Sequence, residues 1–276
     1  MRLAARLLVR LPVTLAFVGL FGWLLVRLAP GFGVDEREID SRFSAESIAA
    51  LQQAGAPHTG PVDYARRLLR GDFGSSQTFG NIPVSQLIQE RWRQTAASVA
   101  IALASAWALA IVWVALGALW RPLDWSGSIF SFSLLALPSG LVAVAIFLAG
   151  APVAVGIAAA VFPVAFRYAR QLVLDAMSQP CIFAAAARGV SRLSALTRHA
   201  RALAGPQLIS LMGASAAIAV GAAIPMEAIC DSPGLGQLAW KAALARDLPT
   251  LMPLILLIAA VIQVANIAAE APAAEA

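Results

Sequence analysis

The sequence predicts an all-α, polytopic membrane protein with six transmembrane helices and both termini in the cytoplasm. Three observations carry that expectation. Hydrophobic residues fill 60% of the 276 positions, where a soluble domain holds about 45–50%. Charged residues fill 13%, about half the usual ~25% and too few to clothe a water-exposed surface. The apolar residues also fall in runs of span length with arginines between them, and the mean hydropathy is +0.78.

A span needs about 20 mostly apolar residues. Leu7–Leu28 is the first, with Arg10 and Arg27 near enough to its ends to snorkel. Arg2 and Arg6 give the basic start of a signal peptide. The run is long for one, however, and no small-x-small cleavage site precedes Pro30-Gly31, so the reading is a retained helix. Gln94–Trp120 carries no charge and is the second span. Trp125–Phe166 is also free of charge and as one helix would be about 63 Å long, twice the ~30 Å hydrocarbon thickness. It must fold back, and Gly150-Ala151-Pro152 is the expected break between spans three and four. Ala202–Met226 and Leu248–Ala269 are the fifth and sixth. The resulting organisation is an N-terminal segment and first span over 1–28, an extracytoplasmic loop region over 29–93, and a five-helix core over 94–270. Cytoplasmic helices near 176–201 interrupt that core, and a tail covers 271–276.

Orientation follows arginine placement in short loops. Arg2, Arg6, Arg10, Arg121, Arg167, Arg170, Arg188, Arg192, Arg198 and Arg201 fall on one side, against Lys241 and Arg246 on the other. The richer side is cytoplasmic. The same scattering excludes a nucleic-acid patch despite the net charge of +5. Lys241, the single lysine, follows Trp240, so there is no Gly-Lys-Ser/Thr phosphate loop.

Other chemistry is thin. Cys181 and Cys230 fall on opposite sides and cannot pair within the chain, and with only His58 and His199 beside them they form no metal site. Both are expected to be small buried hydrophobes. Gly213-Ala214-Ser215 has the Gly-x-Ser form of a serine nucleophile but lies far from either histidine, so Ser215 is read as a packing residue. No carboxylate sits deep in a span: Asp175 and Glu227 lie at span margins, where solvation is available. That weighs against a proton- or sodium-driven transporter. Runs such as Gly156-Ile157-Ala158-Ala159-Ala160 imply close helix packing and partner helices. Trp107 and Trp113 are read as packing or lipid-facing residues before pathway ones.

The informative segment is Gln179–Leu193 with Arg198, His199 and Arg201 beyond it: an Ala-rich run, a glycine, then a second run, which reads as helix–turn–helix. Outside the bilayer it is either a membrane-surface hairpin or a docking element for a cytoplasmic partner.

Several blocks, in order, resemble the permease subunit of binding-protein-dependent ABC importers of the dipeptide/oligopeptide/nickel class. Tyr64–Ser76, ending Gly71-Asp72-Phe73-Gly74-Ser75-Ser76, is similar to the family's Gly-Asp-Leu-Gly-x-Ser stretch. Pro83-Val84, Leu87-Ile88 and Thr95 resemble its lead-in to the second span. Ala185–Gly189 falls on its EAA loop. Glu227, Ser232-Pro233-Gly234-Leu235-Gly236 and Ala245-Arg246-Asp247-Leu248-Pro249 match its last outer loop. The resemblance covers about residues 60–270. It departs at Phe183 and Ala186, where the family usually carries charge, so the coupling contact is more apolar here. The stretch His199–Pro206 is about one residue short, and Ala271–Ala276 lacks a basic tail.

The resemblance implies a subunit of the bacterial inner membrane that forms a translocation path for a small, peptide-like solute. It implies a second permease as heterodimer partner, two cytoplasmic ATPase subunits and an extracytoplasmic solute-binding protein, with no cofactor and no catalytic residue in this chain. Ala184, Ala185, Arg188, Gly189, Arg192 and Arg198 become the ATPase-coupling candidates. For each of the arginines, positive-inside anchoring is an equally good reading. Glu227, Pro233, Gly234, Gly236 and Asp247 become the outer-loop candidates. Gly189 is expected at a turn with positive φ, and Pro233-Gly234 in a tight turn. A secondary transporter or channel working without ATPases is the alternative.

Overall fold

A computed structural model describes residues 2–28, 66, 70–76, 78–194 and 201–273. Within them the chain is helical. Its only pairing of extended backbone is one isolated bridge, Ser75 to Pro83. The helices are α1 (Arg2–Leu28), α2 (Val84–Leu119), α3 (Arg121–Ala136), α4 (Ser139–Leu148), α5 (Val153–Met177), α6 (Pro180–Ala187), α7 (Arg201–Ile229), α8 (Leu235–Leu244) and α9 (Leu248–Ala273), with a single turn at Arg192–Ser194.

Four segments are long and apolar enough to cross a membrane: Val84–Leu119, Val153–Met177, Gln207–Ile229 and Leu248–Ala269. The last has the expected bounds. α3 and α4 together form one further, broken span, bent by 100°. α1 contributes an apolar portion, Val9–Gly22, shorter than a full span. The described residues thus supply four spans, or five with the bent pair, where the sequence suggested six.

Two boundaries move. The second helix starts at Val84, so the last turns of the expected loop region 29–93 are helix. At 36 residues α2 is about 54 Å long. Its first turns, with Glu90, Arg91 and Arg93, therefore project past the hydrocarbon. The fold-back of the charge-free stretch uses two breaks. The expected one at Gly150-Ala151-Pro152 does separate α4 from α5. A second bend, of 100°, lies at Leu137-Pro138, where proline has no N–H to continue α3 and its fixed φ starts α4 instead.

The core lies where α2, α5 and α7 meet, and small residues make it close. Ala102, Ala106, Ala110, Ala165, Ala169, Ala219 and Ala223 are buried together. Lipid gives helices no hydrophobic drive to associate, so such short side chains matter by letting backbones approach. Trp107 is buried in the same cluster, its indole N–H donating to Ser215 Oγ at 2.8 Å. Ser215 is thus a packing residue whose hydroxyl accepts from Trp107 and donates to the Met212 carbonyl at 2.8 Å. Trp113, Phe130, Phe162 and Phe166 stack between α2, α3 and α5 around Gly127, where a Cβ would fall 2.6 Å from the Phe166 ring. α1 lies against α9, Gly22 facing Met252.

Candidate functional site

The two ends of the bundle carry the candidate residues. At one end α5 leads through Ser178 and Gln179 into the short helix α6. Ile182 and Ala185 are buried at 5% and 1% exposure, while Cys181, Phe183, Ala184, Ala187 and Arg188 are exposed. α6 ends in a Schellman-type cap: the Val190 N–H reaches back to the Ala185 carbonyl at 3.1 Å, across Gly189 at φ +83°. The expected left-handed glycine is therefore in place. Arg188 folds back, its Nε donating to the Ala184 carbonyl at 3.2 Å. Of the coupling candidates, Ala184, Arg188 and Gly189 face outward, whereas Ala185 seats α6 from beneath. Arg192 opens the single turn at Arg192–Ser194, and Arg198 lies outside the described residues. Cys181 corrects the expectation of a buried thiol, because α6 lies outside the bundle and leaves that face open. Cys230 is half-buried, its Sγ 3.6 Å from the Ala143 carbonyl.

Nearby, α3 and α5 are tied by an ion pair absent from the sequence reading. Arg170 donates from Nε to Asp124 Oδ1 at 2.5 Å and from Nη2 to Oδ2 at 2.7 Å, a two-point grip.

At the other end, α8 is built onto the bundle by side chains from elsewhere. The first backbone N–H groups of a helix have no partner within it. Here Leu235 N–H donates to Thr95 Oγ1 of α2 at 2.8 Å, and Gly236 N–H donates to Glu227 Oε2 of α7 at 2.7 Å. A carboxylate at a helix N-terminus is also favoured by the helix dipole. Glu227 is fully buried rather than solvated at a span margin, and its Oε1 has no hydrogen-bond partner. Gly234 and Gly236 make this approach possible. A Cβ on Gly234 would overlap the Glu227 carboxyl group, and one on Gly236 would lie 2.6 Å from Ile224 Cα. Gly234 itself is extended, at φ −107° and ψ −176°. The expected turn is present, closed by Gly234 N–H to the Ser232 carbonyl at 2.7 Å, but the glycine is required for space and not for handedness.

A polar chain runs outside this cap. Arg91 of α2 donates to Gln237 Oε1 at 3.0 Å, Gln237 Nε2 donates to Asp231 Oδ1 at 2.6 Å, and Lys241 meets the same oxygen at 3.3 Å.

Asp247, 2% exposed, stands just before α9 and caps it, accepting from the Thr250 hydroxyl at 2.9 Å and the Thr250 N–H at 3.4 Å. Its Oδ2 also accepts from the Ser76 hydroxyl, 171 residues earlier, and from Thr78 N–H at 3.3 Å. The loop around Ser76 is a tight hairpin, with Ser76 N–H to the Ile82 carbonyl at 2.9 Å and Val84 N–H to the Gly74 carbonyl at 3.0 Å. Two distant sequence blocks, Gly71–Ser76 and Ala245–Pro249, thus form one object. Glu227, Gly234, Gly236 and Asp247 were expected to face a partner; they are buried and instead shape the loop. Pro233 alone of that set is exposed. Ser76 and Thr95 lay inside the recognised blocks without an assigned role.

A bundle of apolar helices with a short capped helix outside one end and a buried carboxylate-capped loop at the other is the build of a multi-span membrane protein. The profile of the binding-protein-dependent transport system inner membrane components matches residues 87–271. The chain belongs to that family, a multi-pass inner-membrane component of an ABC importer. It is 28% identical over 301 residues to a protein of Brucella suis whose name describes a peptide permease, covering 95% of this chain and 93% of that one. It is 26% identical over 300 residues to a Sinorhizobium fredii protein named for a peptide ABC transporter permease, covering 95% and 93%. With the oligopeptide transport system permease protein of Bacillus subtilis it shares 25% over 299 residues, covering 96% and 94%.

Proposed function

We propose that the chain is one of two permease subunits of a peptide importer, crossing the membrane six times with both termini in the cytoplasm. α1 is the first of those spans and the bent pair α3–α4 the third. ATP hydrolysis resides in two separate ATPase subunits, and this chain carries no catalytic group. The observation that carries the reading is α6, a short helix outside the bundle between the long rods α5 and α7, with Phe183, Ala184 and Arg188 turned outward. An ATPase surface seated on these residues pushes α6 toward or away from the membrane as ATP binds and leaves. Arg192 and Arg198 extend that contact. Its energy enters through contacts that differ between the two states.

At the opposite end a solute-binding protein docks on the surface that the Glu227 and Asp247 caps hold in shape, with Pro233 on its rim. The peptide class follows the names of the relatives, and the binding protein sets the finer selectivity.

The test is co-purification in mild detergent with an affinity tag on this chain. Two ATPase copies and a second permease are expected to follow. Arg188→Glu combined with Gly189→Pro, which puts a ring fixed near φ −65° where the backbone stands at +83°, is expected to release the ATPases alone. A chain that purifies by itself, or a double variant that keeps its ATPases, would overturn the assignment.

A further inference from the structure

A cavity of about 420 Å³ opens between α2, α3 and α5, at the end of the bundle that carries α6. Its wall is apolar, from Val114, Ala118, Val173 and Leu174, and its mouth is charged, with Arg121, Asp124 and Arg170. A second cavity of about 260 Å³ lies on the other side of the same ion pair, bordered by Trp125, Ile129 and Phe132, and Arg167 stands over the Phe132 ring at 5.1 Å.

The charges do not cancel at this mouth. Asp124 occupies two donors of Arg170, Nε and one on Nη2, of the five that a guanidinium carries. The rest, together with exposed Arg121, remain for an anion, and no other carboxylate lines either cavity. An anion that fits must also place hydrocarbon along Ile129 and Phe132, which lie deeper along α3 than Arg121. A free phosphate satisfies the arginines and leaves the apolar wall empty. An acidic protein side chain does not enter a slot between membrane helices. Basic pockets between helices on the cytoplasmic side suit anionic lipid headgroups.

We propose that the two cavities together seat one anionic phospholipid of the cytoplasmic leaflet, its phosphate on Arg121 and Arg170 and an acyl chain running into the bilayer along Ile129 and Phe132 of α3. The leaflet rests on the orientation proposed above. Lipid retention is read separately from ATPase binding, so the two ideas fail separately.

The whole complex is moved into nanodiscs of phosphatidylcholine with added phosphatidylglycerol, and bound lipid is counted by native mass spectrometry after return to detergent. Wild type is expected to keep phosphatidylglycerol in preference to phosphatidylcholine. Arg121→Gln is expected to weaken that retention about fivefold, the ratio one surface arginine is worth against an anionic headgroup. Leu174→Trp, at a position that lines the first cavity and is 42% exposed, is expected to expel the lipid while the ATPases stay bound. Equal retention of both lipids overturns the proposal, as does displacement by inorganic phosphate, which identifies a free-phosphate site. Loss of the ATPases from Arg121→Gln also overturns it and identifies a protein contact.

Discussion

Replacing Asp247 with alanine should unfasten the loop end of the bundle, and its size can be worked out contact by contact. The carboxylate accepts hydroxyl bonds from Ser76 and Thr250 in a site 2% exposed. A hydrogen bond to a charged group is worth about 1.5–3 kcal/mol. Loss of the α9 cap adds about 1 kcal/mol. At about 2 kcal/mol for each hydroxyl bond, Asp247→Ala is therefore expected to cost about 5 kcal/mol, and Ser76→Ala about 2 kcal/mol. Because both remove the Ser76–Asp247 bond, the double variant should cost about 5 kcal/mol and not 7, a coupling of about 2 kcal/mol. The assay is unfolding by SDS titration in detergent, followed by tryptophan fluorescence, to which Trp107 in the bundle core and Trp240 in α8 beside the loop both contribute. Additivity within about 0.5 kcal/mol would refute the shared bond, since independent sites add to that precision.

The glycines offer a contrast: Gly236→Ala meets fixed backbone 2.6 Å away and should cost about 2–3 kcal/mol by overpacking. Gly71→Ala, at φ +77° with nothing within 4 Å, should cost about 1–2 kcal/mol from backbone strain alone. The opposite order in thermal denaturation would count against the packing argument. Arg170→Lys keeps the charge but loses the two-point grip on Asp124. With side chains 33% and 20% exposed, solvent screening limits the loss to about 1 kcal/mol, seen as a small drop in melting temperature. In detergent, exposed Cys181 should react with a maleimide well before Cys230, whose thiol burial pushes up and whose thiolate is correspondingly scarce at neutral pH. Raising the pH should narrow that difference; faster labelling of Cys230 would contradict the packing of α4 against it.

What the sequence made legible is what depends on local pattern. Leu248–Ala269 could be bounded by reading its apolar run, and Gly189 could be placed because a helix ending in a left-handed residue selects glycine. The charge-free stretch after Trp125 had to fold back, and one break satisfied that need. The bend at Leu137-Pro138 was equally visible as a proline, but nothing local says which of two breaks turns the chain by 100°. Of the loop candidates, Glu227, Gly234, Gly236 and Asp247 are buried where the sequence suggested a surface. Burial of Glu227 depends on α8 returning over it, and the capping of Leu235 by Thr95 joins positions 140 apart. Asp124 and Arg170 stand at the margins of different helices, where each alone looks like an ordinary interfacial charge.

The bond between Ser76 and Asp247 also sets an order of events in the making of the protein. Chains emerge from the ribosome at about 5–20 residues per second. With 171 residues between the partners, Asp247 is synthesised about 10–35 s after Ser76. Throughout that interval the hairpin before α2 is without its anchor. This end of the bundle is thus completed only when Asp247 and the start of α9 have been made. A nascent chain that stalls before its last helix leaves the Ser76 hydroxyl and Thr78 N–H unclaimed, a mark of incompleteness at the end of the bundle away from α6.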